Sequence, residues 1–403
     1  MSLQVVQPRI RGFISVSAHP DGCAANVRRQ IEVARAGLGD ARATGRLGPT
    51  LVVGSSTGYG LGSTLSACFG LDAPVLGVCF ERPAEGERTA TAGWYNLAEA
   101  HRLARAEGRR LETINVDAYQ ESTKDAVIEA LRARYMTGGA KLELFIYSLA
   151  APRRLGADGQ RWESVLKPIG APFTGKTIDL RSLAVVNGSL EAATPEEIEA
   201  TVKVMGGEDW ARWVERLQDA DVLAPGFRTV AYSYVGPRVT ANIYRTGTIG
   251  RAKQHLEASA AELTRRLAPL EGQALVSVNE GVVTQASAAI PGVSLYISVL
   301  MRIMKARGTH EGTIEQIVRL FRDHLAPGAT PRVDEAGLIR LDDRELDPAV
   351  QAEIDAVWDR LDTANLQEYA DYEAYQRAFE ALFGFGIEGI DYTAPTEVDR
   401  QLV

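Results

Sequence analysis

The stretch Leu51-Val-Val-Gly54-Ser-Ser-Thr-Gly58-Tyr-Gly60 decides how the first half of this chain folds. It joins a short apolar run to a glycine-rich segment with the spacing G-x-x-x-G-x-G. The pattern predicts a strand, a tight turn and a helix from about Gly60, because glycine permits the turn and a close backbone approach. Such a turn aims a helix N-terminus at an anion such as a pyrophosphate. For this motif taken alone, a purely structural glycine-rich turn is the alternative.

Apolar runs and helical patterns alternate on both sides of this stretch. The predicted strands are residues 51–54, 74–81, 111–117 and 142–148, and the predicted helices are residues 22–38, 60–69, 94–107 and 124–135. Strands that alternate with helices favour a parallel sheet covered on both faces, and right-handed crossovers make it doubly wound. The sequence therefore predicts an α/β fold.

Further along, residues 153–200 read as a polar excursion, followed by a strand at 230–235 and a strand at 274–278 with a loop at 282–284. Helix starts are indicated at Thr194, followed by Pro-Glu-Glu, and at Asp347, followed by Pro348. We predict one elaborated domain over residues 1–403. Its parts are an N-terminal extension (1–48), a dinucleotide-binding core (49–152), a catalytic and substrate or lid part (153–320) and a mostly helical C-terminal part (321–403).

Composition narrows the function classes. A net charge of −8 argues against a general nucleic-acid surface and against binding to an anionic membrane. The N-terminus lacks the pattern of a signal peptide, and the apolar stretch 286–304 is too short to span a bilayer. Cys23, Cys68 and Cys79 read as buried thiols of a reducing compartment, so we expect a cytoplasmic protein. The five histidines show no ligand spacing, so we expect no metal.

Residues suited to a dinucleotide follow the later strands. Glu81, 21 residues beyond Gly60, would accept the adenosine ribose hydroxyls and disfavour a 2′-phosphate, so it favours NADH over NADPH. Arg82 beside it weakens that preference. Asp117 ends the third strand where an adenine edge would lie. Small residues from Ser148 onward would let a nicotinamide ribose lie against the backbone.

A phenol and an ammonium, Tyr244 and Lys253, lie nine positions apart. On one straight helix they would face opposite sides, because nine residues make about two and a half turns. Gly247 and Gly250 offer a solution in which Tyr244 precedes a helix that starts near Ile249. We predict that Thr246 or Thr248 caps this helix, so that Lys253 projects back toward the phenol.

This pair suits the chemistry of a reductase. A phenol can give a hydrogen bond or a proton to a developing oxyanion, and a nearby ammonium can hold sugar hydroxyls and lower the pKa of the phenol. The alternative from these residues alone is a half-buried core tyrosine and a solvated lysine.

The chain resembles the FabV-type trans-2-enoyl-ACP reductases and the related trans-2-enoyl-CoA reductases, whose signature is Tyr-x8-Lys. The matching segments are Arg11-Gly-Phe13, His19-Pro20, Gly22-Cys23, Gly54-Ser-Ser-Thr-Gly-Tyr-Gly60, Phe80-Glu81-Arg82, Thr91-Ala-Gly-Trp-Tyr-Asn96, Tyr147-Ser-Leu-Ala-Ala-Pro-Arg153, Met205-Gly-Gly-Glu-Asp-Trp210, Gly247-Thr-Ile-Gly250, Val283-Thr-Gln-Ala-Ser287 and Gly308-Thr-His-Glu-Gly312. One departure is Ala241-Asn242, where members often carry Trp-Pro; it concerns substrate shape.

The resemblance implies a Rossmann-like fold of the short-chain dehydrogenase type with extra helices and a substrate lid. It implies an NADH-dependent reduction of the 2,3-double bond of enoyl thioesters carried by acyl carrier protein or CoA, as in fatty acid biosynthesis. Tyr244 becomes the proton donor, Lys253 a cofactor ligand and Tyr234 a substrate contact. We expect a monomer. The expected NADH-binding residues are Gly54, Ser55, Ser56, Thr57, Gly58, Tyr59, Gly60, Phe80, Glu81, Asp117, Ala118, Ser148, Leu149, Ala150, Lys253, Val282, Val283 and Thr284.

Several alternatives remain open at this point. The same Tyr/Lys pair would serve a carbonyl reductase, and a non-catalytic dinucleotide sensor is a third reading. The C-terminal region of the family has been labelled flavin-binding, but we find no flavin fingerprint and expect no flavin. His19 and His310 are either catalytic or loop braces, and Glu208-Asp209 is either an acid/base pair or a helix-start and lid-ordering element. The stretch 290–304 is either core or an acyl-chain wall.

Overall fold

The computed structural model describes residues 3–11, 14–156, 159–179, 184–288, 290 and 292–402. Gly12, Phe13 and Pro291 lie outside these described residues. The strands are β1 (Leu3–Gln4), β2 (Ile10–Arg11), β3 (Ile14–Ser15), β4 (Thr50–Val53), β5 (Val75–Cys79), β6 (Leu111–Asn115), β7 (Leu142–Tyr147), β8 (Arg153–Leu155), β9 (Arg161–Glu163), β10 (Phe173–Asp179), β11 (Ala184–Leu190), β12 (Leu223–Ser233), β13 (Gln273–Val278), β14 (Leu338–Arg340) and β15 (Thr396–Glu397).

The α-helices connect and flank these strands. They are α1 (Pro20–Ala43), α2 (Gly58–Leu65), α3 (Ala92–Ala106), α4 (Glu121–Ala130), α5 (Pro195–Met205), α6 (Glu208–Asp219), α7 (Thr248–Leu267), α8 (Gln285–Ala288), α9 (Val293–Arg307), α10 (Thr313–Leu320), α11 (Pro348–Trp358), α12 (Leu366–Tyr369) and α13 (Tyr372–Ala381). Turns of π-helix at Ser66–Gly70, Leu131–Tyr135 and Phe321–Leu325 extend α2, α4 and α10.

Seven parallel strands form the central sheet, in the order β14-β13-β12-β7-β4-β5-β6. The chain runs outward from β4 to β5 and β6 and then returns to β7 on the other side of β4. The strand order therefore reverses between β4 and β7, which is where doubly wound sheets bind ligands beyond the carboxyl ends of their strands. The predicted doubly wound α/β fold is confirmed.

Alternate residues of each strand enter different layers of the core. Val52 packs with α1, α2 and α10, whereas Leu51 and Val53 pack with α4, α6 and α7. Both faces of β4 are buried, which explains why the strand is an unbroken apolar run rather than an alternating one. This burial fixes the strand register, and the register sets where the loop after Val53 emerges.

The structure adds elements that the sequence pattern did not reveal. β14 has three residues and completes the sheet at its edge. β12 begins at Leu223, well before the predicted start at residue 230, and an irregularity between Leu223 and Arg228 interrupts its pairing with β7. Two antiparallel hairpins, β8–β9 and β10–β11, occupy the polar excursion. These strands are short or polar and carry little periodicity.

The predicted helix starts are confirmed at Thr194 and Asp347. Thr194 forms a capping box with Glu197, and the Asp347 carboxylate accepts from the backbone of Ala349 and Val350. In the described part of the chain, no helix combines the length and apolar character needed to cross a membrane. The three cysteines are buried and free, as predicted.

Candidate active site

The glycine-rich loop after β4 is held by close backbone contacts. Gly54 has a φ of 87°, and a Cβ on it would lie 2.2 Å from the carbonyl oxygen of Ser148. A Cβ on Gly60 would lie 1.9 Å from the carbonyl oxygen of Gly54. Neither position accepts a side chain without moving backbone, so both glycines are required for the loop to pack against β7 and α2.

The loop leaves the start of α2 available to an anion. Thr57 is the N-cap residue of α2, and its side chain makes no capping hydrogen bond. The first backbone N–H groups of a helix lack intrahelical partners and point at the ligand position. Ser55 and Ser56 are buried beside them, and the Tyr59 hydroxyl donates to the Glu280 carbonyl oxygen at 3.1 Å. The arrangement fits a dinucleotide pyrophosphate.

Glu81 follows β5 at the same edge of the sheet. Its carboxylate accepts hydrogen bonds from Ser56 Oγ at 2.5 Å and from Thr91 Oγ1. The Asn115 side chain bonds both backbone polar groups of Glu81, at 2.7 Å and 2.9 Å. These contacts fix the orientation of the carboxylate. Sequence reasoning gave no role to Thr91 or Asn115, although Asn115 ends the strand next to β5 and could have been found from that position.

The remaining predicted cofactor residues lie around this edge, where the ends of β5, β6 and β7 meet. Phe80 is 78% exposed, a large apolar ring in solvent beside Glu81. The Asp117 carboxylate accepts from the backbone N–H of Tyr119 at 3.0 Å, so it also orders the turn before α4. Ser148 donates its backbone N–H to the Val53 carbonyl oxygen at 2.8 Å. Their contacts with a cofactor stay predictions.

Tyr244 precedes α7, as predicted, and the chain turns sharply between Tyr244 and the helix. The Tyr244 carbonyl oxygen accepts from the backbone N–H groups of Gly247 and Gly250. A Cβ on Gly247 would lie 2.3 Å from the Ile243 carbonyl oxygen, and one on Gly250 would lie 2.0 Å from that of Arg245. The two glycines are therefore what permits the turn.

The predicted cap of this helix is wrong. Gly247 is the N-cap residue, and α7 begins at Thr248. Thr248 Oγ1 donates instead to the Val165 carbonyl oxygen at 2.5 Å, and Thr246 Oγ1 donates to the Ala241 carbonyl oxygen at 3.1 Å. Both hydroxyls act as donors to neighbouring loops, which a local capping rule does not foresee.

Lys253 projects toward the end of β12. Its ammonium donates to the Tyr232 carbonyl oxygen at 2.8 Å, two residues before Tyr234. Burial lowers the pKa of Lys253 to about 8, and the Glu257 carboxylate opposes this. The expectation that Lys253 lowers the pKa of Tyr244 is wrong. Burial raises the pKa of Tyr244 well above its ordinary value, and the negative charge of Glu345 adds to the rise.

Two phenols lie together in this part of the site. The rings of Tyr234 and Tyr244 meet edge to face, with centroids 4.7 Å apart. The Tyr234 hydroxyl donates to Glu345 Oε1 at 2.8 Å, and the Tyr296 hydroxyl donates to the same oxygen at 2.6 Å. Sequence reasoning missed Glu345 and Tyr296. Glu345 lies 111 positions from Tyr234 along the chain, so no spacing rule connects them.

The loop 282–284 borders the same cluster. Val282 is buried, and Val283 packs with Tyr234, Tyr244 and the apolar face of α9. Ser287 Oγ donates to the Val282 carbonyl oxygen at 2.7 Å and accepts from the Thr284 backbone N–H at 2.9 Å, which gives the loop one shape. α9 is thus core packed against the tyrosines, and its use as an acyl-chain wall stays a prediction.

Two alternatives from the sequence are decided by the contacts. His19 is the N-cap residue of α1, and its Nδ1 accepts from the Gly22 backbone N–H at 3.2 Å, so it braces the helix start as predicted. Glu208 and Asp209 open α6 but face different partners. Glu208 pairs with Lys203 at 2.6 Å, whereas the buried Asp209 accepts from Lys124 at 3.0 Å and from the Tyr147 hydroxyl at 3.1 Å. They do not form an acid/base pair.

Among the described residues, no cluster of three or more histidine, cysteine, aspartate or glutamate side chains has the arrangement to hold a metal ion.

The sequence shows similarity to three family models. Residues 5–86 match the NAD(P)H binding domain of trans-2-enoyl-CoA reductase, and residues 88–326 match the trans-2-enoyl-CoA reductase catalytic region. Residues 333–396 match a model described as the enoyl reductase FAD binding domain.

Residues 333–396 do not fit a flavin dinucleotide. Its pyrophosphate would need free backbone N–H groups, but the start of α11 is capped by the Asp347 carboxylate and the start of α13 by the Asp371 carboxylate. A Cβ on Gly384 would lie 2.5 Å from the backbone of Cys23, so this glycine packs on α1 rather than lining an open loop. The helices α11, α12 and α13 bury their apolar side chains in the same cluster as α9.

Proteins of known activity match nearly the whole chain. The enoyl-[acyl-carrier-protein] reductase [NADH] of Opitutus terrae is 48% identical over 98% of both chains. The trans-2-enoyl-CoA reductase [NADH] of Clostridium perfringens is 46% identical over 98% of this chain and 99% of its own. A crystal structure of Treponema denticola trans-2-enoyl-CoA reductase in complex with NAD superposes with a TM-score of 0.93 at 42% identity, covering 98% of each chain. The chain therefore belongs to the family of trans-2-enoyl-CoA and enoyl-acyl-carrier-protein reductases.

Proposed function

We propose that this protein reduces the 2,3-double bond of trans-2-enoyl thioesters with NADH. The observation that carries the proposal is the edge-to-face pair of half-buried Tyr234 and buried Tyr244, in one apolar cluster with Val283 at the edge of the sheet where the glycine-rich loop lies. Lys253 reaches the same edge through the Tyr232 carbonyl oxygen. A phenol, an ammonium and a pyrophosphate loop at one edge are the groups that this reduction needs.

The cofactor would be held mainly by backbone groups. The N–H groups at the start of α2 suit the pyrophosphate, and the braced Glu81 carboxylate suits the two adenosine ribose hydroxyls. Asp117 and Ala118, with exposed Phe80, would border the adenine. Ser148 to Ala150 and Val282 to Thr284 would border the nicotinamide ribose and ring. When bound, the reduced nicotinamide supplies the hydride for the β-carbon.

Tyr244 would stabilise the charge that then appears on the thioester oxygen. Because burial raises its pKa, the phenol stays protonated at neutral pH and can donate a hydrogen bond. It would also supply the proton that ends on the α-carbon. Lys253 would bind the nicotinamide ribose or a phosphate and keep the site positively charged.

The thioester carrier would be acyl carrier protein or CoA, since relatives of nearly equal identity carry either name. We place the enzyme in the cytoplasm, because its three thiols are free and buried, as in proteins of reducing compartments. Its place in fatty acid biosynthesis is proposed from its similarity to an enoyl-[acyl-carrier-protein] reductase. The monomeric state, like the division into domain parts, stays a prediction.

The decisive experiment compares Tyr244→Phe with wild type on crotonyl-CoA, following NADH absorbance. We expect kcat to fall by about a thousandfold or more, as for a lost proton donor and oxyanion donor together, while the Kd for NADH changes by less than about threefold. Tyr135→Phe is a matched control, since its buried hydroxyl bonds the Val75 carbonyl oxygen at the opposite end of β5. Wild-type turnover in Tyr244→Phe would contradict the assignment. Acetoacetyl-CoA as substrate tests the carbonyl reductase alternative.

A further inference from the structure

Glu345 is a fully buried carboxylate that receives three hydrogen bonds. Its Oε2 accepts from the Gly281 backbone N–H at 2.6 Å, and its Oε1 accepts from the hydroxyls of Tyr234 and Tyr296. A backbone N–H can only donate, so Oε2 is necessarily an acceptor. Three donors on one carboxyl group stabilise its ionised form.

Burial opposes that ionisation. It raises the pKa of Glu345 to about 7, with a smaller contribution from Asp342, while Tyr296, Gly281 and Tyr234 act in the other direction by donating to the carboxylate. The nearby Glu280 is also buried and negative when ionised. A buried carboxylate left without its donors costs several kcal/mol, so the two phenols are held to it firmly.

The direction of the Tyr234 hydrogen bond has a consequence for the site. The one hydroxyl hydrogen of Tyr234 points at Glu345, so the rest of its oxygen offers lone pairs only. A thioester or enolate oxygen needs a donor and not an acceptor. While Glu345 is ionised, Tyr234 cannot serve that oxygen, although its ring lies 4.7 Å from that of Tyr244.

We propose that Glu345 is a positioning residue of the reductase, which acts through Tyr234 and leaves Tyr244 as the phenol that donates to the substrate oxygen. The inference rests on the proposed function, and it decides whether Tyr244 donates to the substrate oxygen directly or through the Tyr234 hydroxyl. Glu345 holds the Tyr234 ring against Tyr244, and by accepting the hydrogen bond of the Tyr234 hydroxyl it keeps that hydrogen from the substrate oxygen. Its own place is set from the C-terminal side, because Gln351 Nε2 donates to the Glu345 carbonyl oxygen at 2.7 Å just inside α11.

If Glu345 positions Tyr234, the C-terminal part of the chain contributes to the active site. Glu345 lies between β14 and α11, within the region 333–396 that does not fit a flavin. The bonds to Tyr234, on the loop after β12, and to Tyr296, on α9, tie this region to the catalytic part. A purely structural carboxylate would give the same contacts, so the experiment must separate rate from stability.

The test measures kcat, the KM values and thermal unfolding for Glu345→Gln, Tyr234→Phe and the double variant, with crotonyl-CoA and NADH. We expect Glu345→Gln to lower kcat about 10- to 100-fold with the KM for NADH within about threefold, since the change affects the reacting end only. In the Tyr234→Phe background the same substitution should cost less than about threefold, because it acts through that phenol. Tyr135→Phe, which removes a buried hydrogen bond to the Val75 carbonyl oxygen away from the site, should lower stability while kcat stays within about threefold.

A kcat within about twofold of wild type in Glu345→Gln, or an equal loss with and without Tyr234, would overturn the inference. Should Glu345→Gln not fold, Glu345→Asp keeps the charge but withdraws the carboxylate, and the same dependence on Tyr234 is required of it. Failure of the proposed function has a different signature. In that case wild type itself does not reduce crotonyl-CoA, or Tyr244→Phe keeps full turnover.

Discussion

The glycine-rich loop and the tyrosine cluster lie at the same edge of the sheet but are built in opposite ways. The loop is made of backbone, with Gly54 and Gly60 pressed against each other and against Ser148. The cluster is made of side chains, with half-buried Tyr234 and buried Tyr296 both donating hydrogen bonds to the buried Glu345. The loop comes from one short stretch of sequence, whereas the cluster joins residues from widely separated elements.

This difference in construction determines how each region responds to substitutions. A site built from backbone tolerates no added side chain, because the new atoms would clash with backbone atoms that the sheet holds in place. A side-chain site tolerates little change of chemistry, because each buried polar group depends on its partner. Substitutions in the loop should therefore affect binding and stability together, and substitutions in the cluster should affect turnover most.

Gly60→Ala is expected to have the largest effect. Its methyl group would lie 1.9 Å from the Gly54 carbonyl oxygen, so the loop must move away from β7. We expect the free energy of unfolding to fall by about 3 kcal/mol or more. We also expect the Kd for NADH to rise at least about 100-fold, as the helix start is displaced. Thermal unfolding and fluorescence titration with NADH measure both. A variant with normal NADH affinity would show that the loop is not the pyrophosphate site.

Cofactor choice should depend on Glu81, whose carboxylate accepts a hydrogen bond from Ser56 in the glycine-rich loop. We expect wild type to prefer NADH over NADPH by about tenfold to a few hundredfold in kcat/KM, or roughly 1.4 to 3 kcal/mol. Glu81→Ala should narrow the gap, mainly by lowering the KM for NADPH. Thr91→Val keeps the charge but removes one hydrogen bond that orients it, so its effect should have the same sign and be smaller. An unchanged ratio in Glu81→Ala would mean that this carboxylate does not contact the ribose.

Lys253 lies at the same edge of the sheet as the two regions, where its ammonium donates to the Tyr232 carbonyl oxygen, and its titration should appear in the pH dependence of kcat/KM. Because burial lowers its pKa to about 8, the ammonium is lost as pH rises through that value, and kcat/KM should fall about tenfold per pH unit above it. Lys253→Arg, which stays charged, should lack this alkaline limb whatever its overall rate. An alkaline limb retained in Lys253→Arg would assign the titration to another group.

The same shift affects stability, and the sign follows from the two pKa values. The unfolded lysine titrates near 10.5 and the folded one near 8, so the cost of burying the charge is fully present below about pH 8. The cost disappears as pH rises toward 10.5, so this lysine makes the free energy of unfolding rise over that interval. Lys253→Met should lack this contribution, which chemical denaturation at several pH values would detect.

The smallest expected effect is at Gly39, a glycine that the fold does not require. It lies inside α1, its φ is not positive, and a Cβ there meets nothing within 4 Å. Gly39→Ala should raise the free energy of unfolding by about 0.5 to 1 kcal/mol and leave the kinetics unchanged. A loss of stability would show that open space around a Cβ is not what separates this glycine from Gly60.

The parts of the fold that the sequence predicts are those with a local cause. β4 to β7 are apolar runs bounded by turns, so their existence and order follow from periodicity. The ends of the elements were predicted less accurately than their existence. For example, α1 begins at Pro20 rather than at Gly22, because His19 caps it. The sequence did not predict β14, because three residues are too few to show a periodicity. Thr248 does not cap α7 as predicted, because its hydroxyl donates to the Val165 carbonyl oxygen in a distant loop.

For the active site, the sequence by itself determined the glycine-rich loop, Glu81 at the next strand end and the turn that separates Tyr244 from α7. Each depends on backbone geometry within a few residues, where glycine and strand ends leave a readable pattern. Only the tertiary structure decided that Asn115 holds Glu81, that Glu345 gathers Tyr234 and Tyr296, and that the pKa of Tyr244 rises rather than falls. Those features depend on burial and on contacts between distant segments, and neither is a property of any single stretch of chain.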